Sequence, residues 1–218
     1  MIGLLGPNGA GKSTLMKLLT AALVPSNGSI LVDGQPLLKQ EHLLKSHLGY
    51  LPQTFGLYEE LTVYQFLDYM AALKGLSNTK TILTRVIQEV NLTEKSNARI
   101  RTLSGGQRQA LTLLMATMNK PKLLLLDEHT AALDPKTALK VLTLSAKIVE
   151  ENHLTTMMIT HNMKDAIKYG NRLIMMHEGH IIYDVAGEEK QKLHVSDLLA
   201  KFQIASGGEF ANDRMILS

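Results

Sequence analysis

Apolar and polar positions follow two rhythms along the chain. Short continuous apolar runs predict buried strands at Ile2–Leu5, Leu48–Leu51, Leu123–Leu126, Thr155–Thr160 and Arg172–Met176. Ser29–Asp33 reads as a further strand closed by the Asp33-Gly34 turn signal, and Ile181–Asp184 as the last one. Elsewhere apolar residues recur every three or four positions. That spacing predicts helices over Lys12–Leu23 (Leu15, Leu18, Leu19 and Ala22, with Pro25 as the stop), Val63–Leu73, Thr79–Val90, Ser104–Met118, Pro135–Glu150, Met163–Lys168 and Val195–Phe202. Strands alternating with helices imply an α/β fold with a mostly parallel sheet and crossover helices. Residues 54–102 break the alternation and read as a helical lobe set into a core of residues 1–53 and 103–184, with a C-terminal helix and tail over 185–218.

Length and charge narrow the classes. A chain of 218 residues holds one large domain, or one domain with a small lobe. Twenty-three Lys and Arg against 20 Asp and Glu leave a net charge of +3, too small an excess for a nucleic-acid binder. Absent Trp and 5% aromatics argue against a base-stacking platform. With no Cys, a disulfide scaffold, a thiolate metal site and a cysteine nucleophile are excluded. None of the eight His forms a close pair at ligand spacing. No apolar stretch approaches the ~20 residues of a membrane span, and no secretory leader is legible, so the expected location is cytosolic or membrane-peripheral.

The first chemistry stands at Gly6-Pro7-Asn8-Gly9-Ala10-Gly11-Lys12-Ser13, a full G-x-x-x-x-G-K-[ST] string between a strand and a helix. Its glycines let backbone N–H groups turn inward around an anion, and the following helix aims its positive end at the same place. Lys12 adds a full charge for the β- and γ-phosphates, and the Ser13 hydroxyl stands where Mg²⁺ would sit. A guanine-selecting Asn-Lys-x-Asp is absent; Asn162-Met163-Lys164-Asp165 has the wrong order.

Two acids, Asp127 and Glu128, end the leucine strand at the sheet edge where α/β folds bind ligands. Asp127 suits a Mg²⁺ water shell, and Glu128 can accept a proton from, or orient, the attacking water. Ser104-Gly105-Gly106-Gln107 opens a periodic helix. A capping box accounts for Ser104 and Gln107 but not for two glycines in the first turn, which make sense if something approaches the backbone closely. A helix start with bare N–H groups is a second phosphate site, and a head-to-tail dimer, each phosphate loop facing the other chain's Ser104 helix, would reconcile the two half-sites.

Taken together, these residues resemble the nucleotide-binding subunit of an ATP-binding cassette (ABC) transporter, with matches in order from Gly6 to about Ile182. Gly6–Ser13, followed by Thr14, is similar to the Walker A loop, and Gln53 after Tyr50-Leu51-Pro52 to the Q-loop glutamine. Leu103–Gln107 is similar to the signature, and Leu123–Glu128 to Walker B with its catalytic glutamate. Ala132-Leu133-Asp134 resembles the D-loop, and His161 the switch histidine. The resemblance implies a P-loop NTPase, RecA-like core with a helical subdomain, ATP and Mg²⁺ as cofactors, and Mg-dependent ATP hydrolysis. It implies Glu128, His161 and Gln53 in catalysis, Gly6–Thr14, Ser104–Gln107 and Asp134 at the nucleotide, and Ser13, Gln53 and Asp127 at the metal. Implied partners are permease subunits and a second nucleotide-binding subunit, with no nucleic acid, at the inner face of the cell membrane.

The two halves resemble different branches. Residues 1 to about 80, with Gly56–Thr62, look like export-type ATPases; from about 100 onward, Asp127–Thr137 and the tail Glu209–Arg214 look like ATPases of bacterial importers of aromatic amino acids or similar solutes. Family members carry about two more strands before Walker A, including an adenine-stacking aromatic. Five residues precede Gly6, and Tyr50 and Tyr58 are no obvious substitutes, so truncated N-terminal antiparallel strands are expected. The alternatives are a soluble ABC-type ATPase, for example in iron–sulfur assembly, or an inactive truncated cassette.

Overall fold

The alternating elements appear in a computed structural model that describes residues 1–53 and 56–207. The tail Glu209–Arg214, named above for its resemblance, lies outside the described residues. In chain order the strands are β1 (Ile2–Leu5), β2 (Leu31–Val32), β3 (Gln35–Pro36), β4 (Leu48–Leu51), β5 (Leu123–Asp127), β6 (Thr155–Ile159), β7 (Arg172–His177) and β8 (His180–Ala186). The helices are α1 (Lys12–Leu19), α2 (Glu41–His47), α3 (Val63–Leu73), α4 (Thr79–Glu89), α5 (Gly105–Thr117), α6 (Pro135–Glu151), α7 (Met163–Lys168), α8 (Gly187–Gln191) and α9 (Val195–Ala205). Among the described residues no helix is long and apolar enough to cross a membrane.

Two expectations are corrected, and two helices lie where none was expected. The helix from Lys12 stops at Leu19, not Leu23: Ala21 turns into the left-handed region (φ 58°), and the N–H groups of Ala22 and Leu23 fold back onto the Lys17 carbonyl. The strand expected over Ser29–Asp33 shrinks to Leu31–Val32, paired antiparallel with Gln35–Pro36 across Asp33-Gly34, both at positive φ as a tight two-residue hairpin turn requires. Two short helices, α2 and α8, carry too few apolar positions to show a period.

The chain divides into two compact units. Unit 1 comprises residues 1–44, 125–128 and 156–218. Its strands stand in the order β5-β6-β1-β7-β8, with β1 parallel to both β6 and β7 (Ile2 beside Met157 and Arg172) and β8 antiparallel to β7. Leu125 and Leu126 of β5 are fully buried, which is why the strand reads as a continuous apolar run; burying each leucine contributes roughly 1.5–3 kcal/mol. A second layer packs α7 and α9 around Leu5, Leu173, Met175, Leu198 and Phe202.

Unit 2 comprises residues 45–124 and 129–155. It takes in β4, α3 to α6 and the described part of the lobe expected at 54–102. α3 packs on α4 and α5, and α5 on α6, through buried residues that include Phe66, Leu67, Leu83, Leu111 and Leu114. α3 and α5 each begin with a complete capping box, Thr62–Gln65 and Ser104–Gln107, so both starts are set by local chemistry.

Candidate active site

In unit 1, β1 delivers the chain into the loop Gly6–Gly11, where Gly9 and Gly11 take φ of 83° and 93°. No atom crowds a Cβ at Gly9; the left-handed backbone, strained for other residues, is what calls for glycine there. α1 opens without a side-chain cap and without an acid in its first turn, leaving backbone donors and the helix dipole for an anion. Lys12 is buried (5% exposed), and its Nζ donates to the carbonyls of Gly6 at 2.6 Å and Pro7 at 3.0 Å. Burial pushes its ammonium below the ordinary lysine range, while the negative charges of Glu128 and Asp127 pull the other way. A cradle of backbone donors, a helix start and a desolvated ammonium fit a polyphosphate.

Asp127 ends β5 nearly buried. The next residue, Glu128, sits in the left-handed region at φ 48°, and its N–H donates to the Ile159 carbonyl at 3.1 Å. This conformation costs about 1–2 kcal/mol in a residue with a Cβ and turns Glu128 out of the strand line. The Glu128 carboxylate is 10% exposed and lies 2.8 Å from His161 Nε2. His161 is placed by the turn from β6 to α7: Thr160 Oγ1 accepts from the Asn162 N–H at 3.1 Å, and Asn162 caps α7. Unit 1 therefore gathers Lys12, Asp127, Glu128 and His161 of the residues singled out by sequence.

Gln53, Ser104–Gln107 and Asp134 belong to unit 2. Gln53 follows β4 and is exposed. Ser104 Oγ accepts from the Gln107 N–H at 3.3 Å, and Gln107 Oε1 accepts from the Ser104 N–H at 3.0 Å, so the capping box takes up these two N–H groups of the helix start expected to be bare. Asp134 caps α6 by accepting from the Thr137 N–H at 3.1 Å, and the hydrogen bonds from Thr137 hold its carboxyl below the usual range.

Sequence reading passed over His129. It is buried, with Nε2 3.1 Å from Ser145 Oγ. Ser145 donates its proton to the Val141 carbonyl at 2.9 Å, so the imidazole donates from Nε2. Burial lowers its pKa from 6.5 to about 4. The unfolded chain takes up a proton below pH 6.5 that folded His129 refuses until about 4; the stability present above 6.5 is lost as the pH falls through that window. The loss is about 2.5 kcal/mol by pH 4.5. Urea titrations near pH 7 and 4.5 should show His129→Gln lacking that part of the pH dependence; parallel behaviour of variant and wild type would refute it.

Among the described residues no group of three or more His, Cys, Asp or Glu could hold a metal alone. The Asp127 carboxylate and Ser13 hydroxyl are oxygen donors of the kind Mg²⁺ takes together with phosphate oxygens, so they fit that ion as part of a nucleotide complex.

A family model described as "ABC transporter" matches residues 1–131 of this chain. The chain belongs to the ABC transporter family. It is an ATP-binding subunit of such a transporter, and its family hydrolyses ATP to power transport. The chain is 38% identical over 217 residues to the tyrosine transport ATP-binding protein of Clostridioides difficile (strain R20291), covering 94% of this chain and 86% of that protein. It is 33% identical over 186 residues to the methionine import ATP-binding protein MetN 1 of Enterococcus faecalis (strain ATCC 700802 / V583), covering 83% of this chain and 52% of that longer protein. The solved structure of an ATP-binding subunit of an ABC transporter superposes with a TM-score of 0.78 at 25% identity, over 93% of this chain and 88% of that one.

Proposed function

We propose that this ABC subunit binds Mg-ATP on Gly6–Thr14, hydrolyses it with Glu128 as general base, and drives uptake of an amino acid of the aromatic class. The observation that carries the hydrolytic part is the Glu128–His161 pair at 2.8 Å, in the same unit as buried Lys12. Lys12 Nζ exchanges its two carbonyl partners for β- and γ-phosphate oxygens, and the α1 N–H groups hold the rest of the chain of phosphates. Ser13 and Asp127 would hold Mg²⁺, and the bound ion would supply positive charge to the phosphate oxygens. Glu128 takes the proton of the attacking water, and His161 keeps its carboxylate aimed and hydrogen-bonds the γ-phosphate.

Ser104–Gln107 and Asp134 of a second subunit complete each site in a head-to-tail dimer. The dimer sits on permease subunits at the cytoplasmic face of the membrane. The amino-acid assignment rests on the tyrosine-transport relative that covers 94% of the chain.

His161→Ala is expected to lower phosphate release at least 10-fold while fluorescent-nucleotide titration gives a Kd within about threefold of wild type. Turnover within threefold would remove His161 from the reaction. For the substrate class, tyrosine is expected to stimulate ATP hydrolysis in proteoliposomes holding the subunit with its permease; stimulation by no amino acid would overturn that assignment.

A further inference from the structure

The two glycines that open α5 have a neighbour in their own chain. A Cβ at Gly106 would stand 2.5 Å from Thr137 Cγ2, and one at Gly105 3.2 Å from Leu133 Cδ2. Gly106 has no positive φ, so the constraint there is the approach of Thr137 and not the backbone. Thr137 is half-buried in the first turn of α6, and its other atoms are committed too. Its N–H donates to Asp134 Oδ1 at 3.1 Å, and its side chain helps hold that carboxyl below the usual range. One side chain therefore puts its methyl against Gly106 and its polar side against Asp134.

We infer that Thr137 is a positioning residue that locks the Asp134 turn to the opening turn of the Ser104 helix, so that the two move as one piece. The lock lies within one chain. Its consequence for turnover rests on the head-to-tail reading above, in which both elements meet the nucleotide of the other subunit. The methyl supplies shape and the hydroxyl supplies direction, a combination that neither Ser nor Val reproduces alone.

The two roles separate in a cycle of Gly106→Ala, Thr137→Ser and the double variant. Alanine is the better helix former, so without the Thr137 contact Gly106→Ala would raise the nucleotide-free Tm. With the contact, it lowers the Tm and cuts kcat at least 10-fold. Thr137→Ser vacates the Cγ2 position while keeping the hydroxyl and N–H. In the double variant the Tm is expected to return to that of Thr137→Ser alone, and Thr137→Ser itself should show a ~3- to 10-fold lower kcat, an unchanged KM for ATP and a Hill coefficient nearer one. A raised Tm for Gly106→Ala would overturn the contact. A kcat and a Hill coefficient of Thr137→Ser equal to those of wild type would overturn the positioning role. ATP-dependent dimer formation by Glu128→Gln on size exclusion tests the head-to-tail reading separately, since the nucleotide-free Tm cycle does not depend on it.

Discussion

Glu128→Gln is expected to keep ATP affinity within about twofold of wild type and to lower turnover by ~10²- to 10⁴-fold. Glutamine matches the size of the carboxylate and can still bond His161 across the 2.8 Å gap, so the packing around this 10% exposed side chain survives. What disappears is the proton acceptor. The Cβ strain at φ 48° is the same in both residues, so stability should barely change. Phosphate release and equilibrium nucleotide titration on the same preparation decide the matter: turnover within threefold of wild type would sink the assignment of Glu128 as the base. Glu128→Gly offers an independent check on the backbone, because it should gain stability by relieving the left-handed strain while remaining inactive.

Lys12→Ala should act on the other half of the problem. Removing the ammonium deletes charge-assisted hydrogen bonds to phosphate, about 2–3 kcal/mol, and so weakens ATP binding ~30- to 150-fold. The nucleotide-free fold should tolerate the change: Lys12 is desolvated there and bonded to two carbonyls, an arrangement that lowers its pKa and gains little stability. Calorimetry of ATP binding and the Tm without nucleotide test the two statements together. Wild-type affinity in the variant would remove Lys12 from the site, and a collapse of the apo Tm would make it a structural residue.

How much was legible depended on the range of the interactions. The bounds of α3 and α7 coincide with those read from periodicity, and α5 begins one residue after its reading, because caps at Thr62, Asn162 and Ser104 lie within three residues of the groups they satisfy. The helix after Lys12 was overextended because its stop is a backbone turn at Ala21, not Pro25. Both glycines of the Ser104 helix read as sites of close approach, but the groups that approach them, Leu133 at Gly105 and Thr137 at Gly106, stand 28 and 31 positions on and left no mark in the local string. His129 and Ser145 meet across 16 positions for the same reason, and an isolated histidine after two acids gives no hint that it is buried and neutral.

By itself the sequence determined the inventory: a glycine loop with Lys12 between strand and helix, two acids closing a leucine strand, and a capped helix start with paired glycines. These are local because each motif is written in consecutive residues whose backbone conformation and hydrogen bonds they set themselves. Tertiary structure alone decided the pairings. It brought His161 to Glu128 from a neighbouring strand, desolvated Lys12 and His129, and set Thr137 on Gly106. Distance, burial and protonation are properties of groups far apart in the chain, and only packing fixes them.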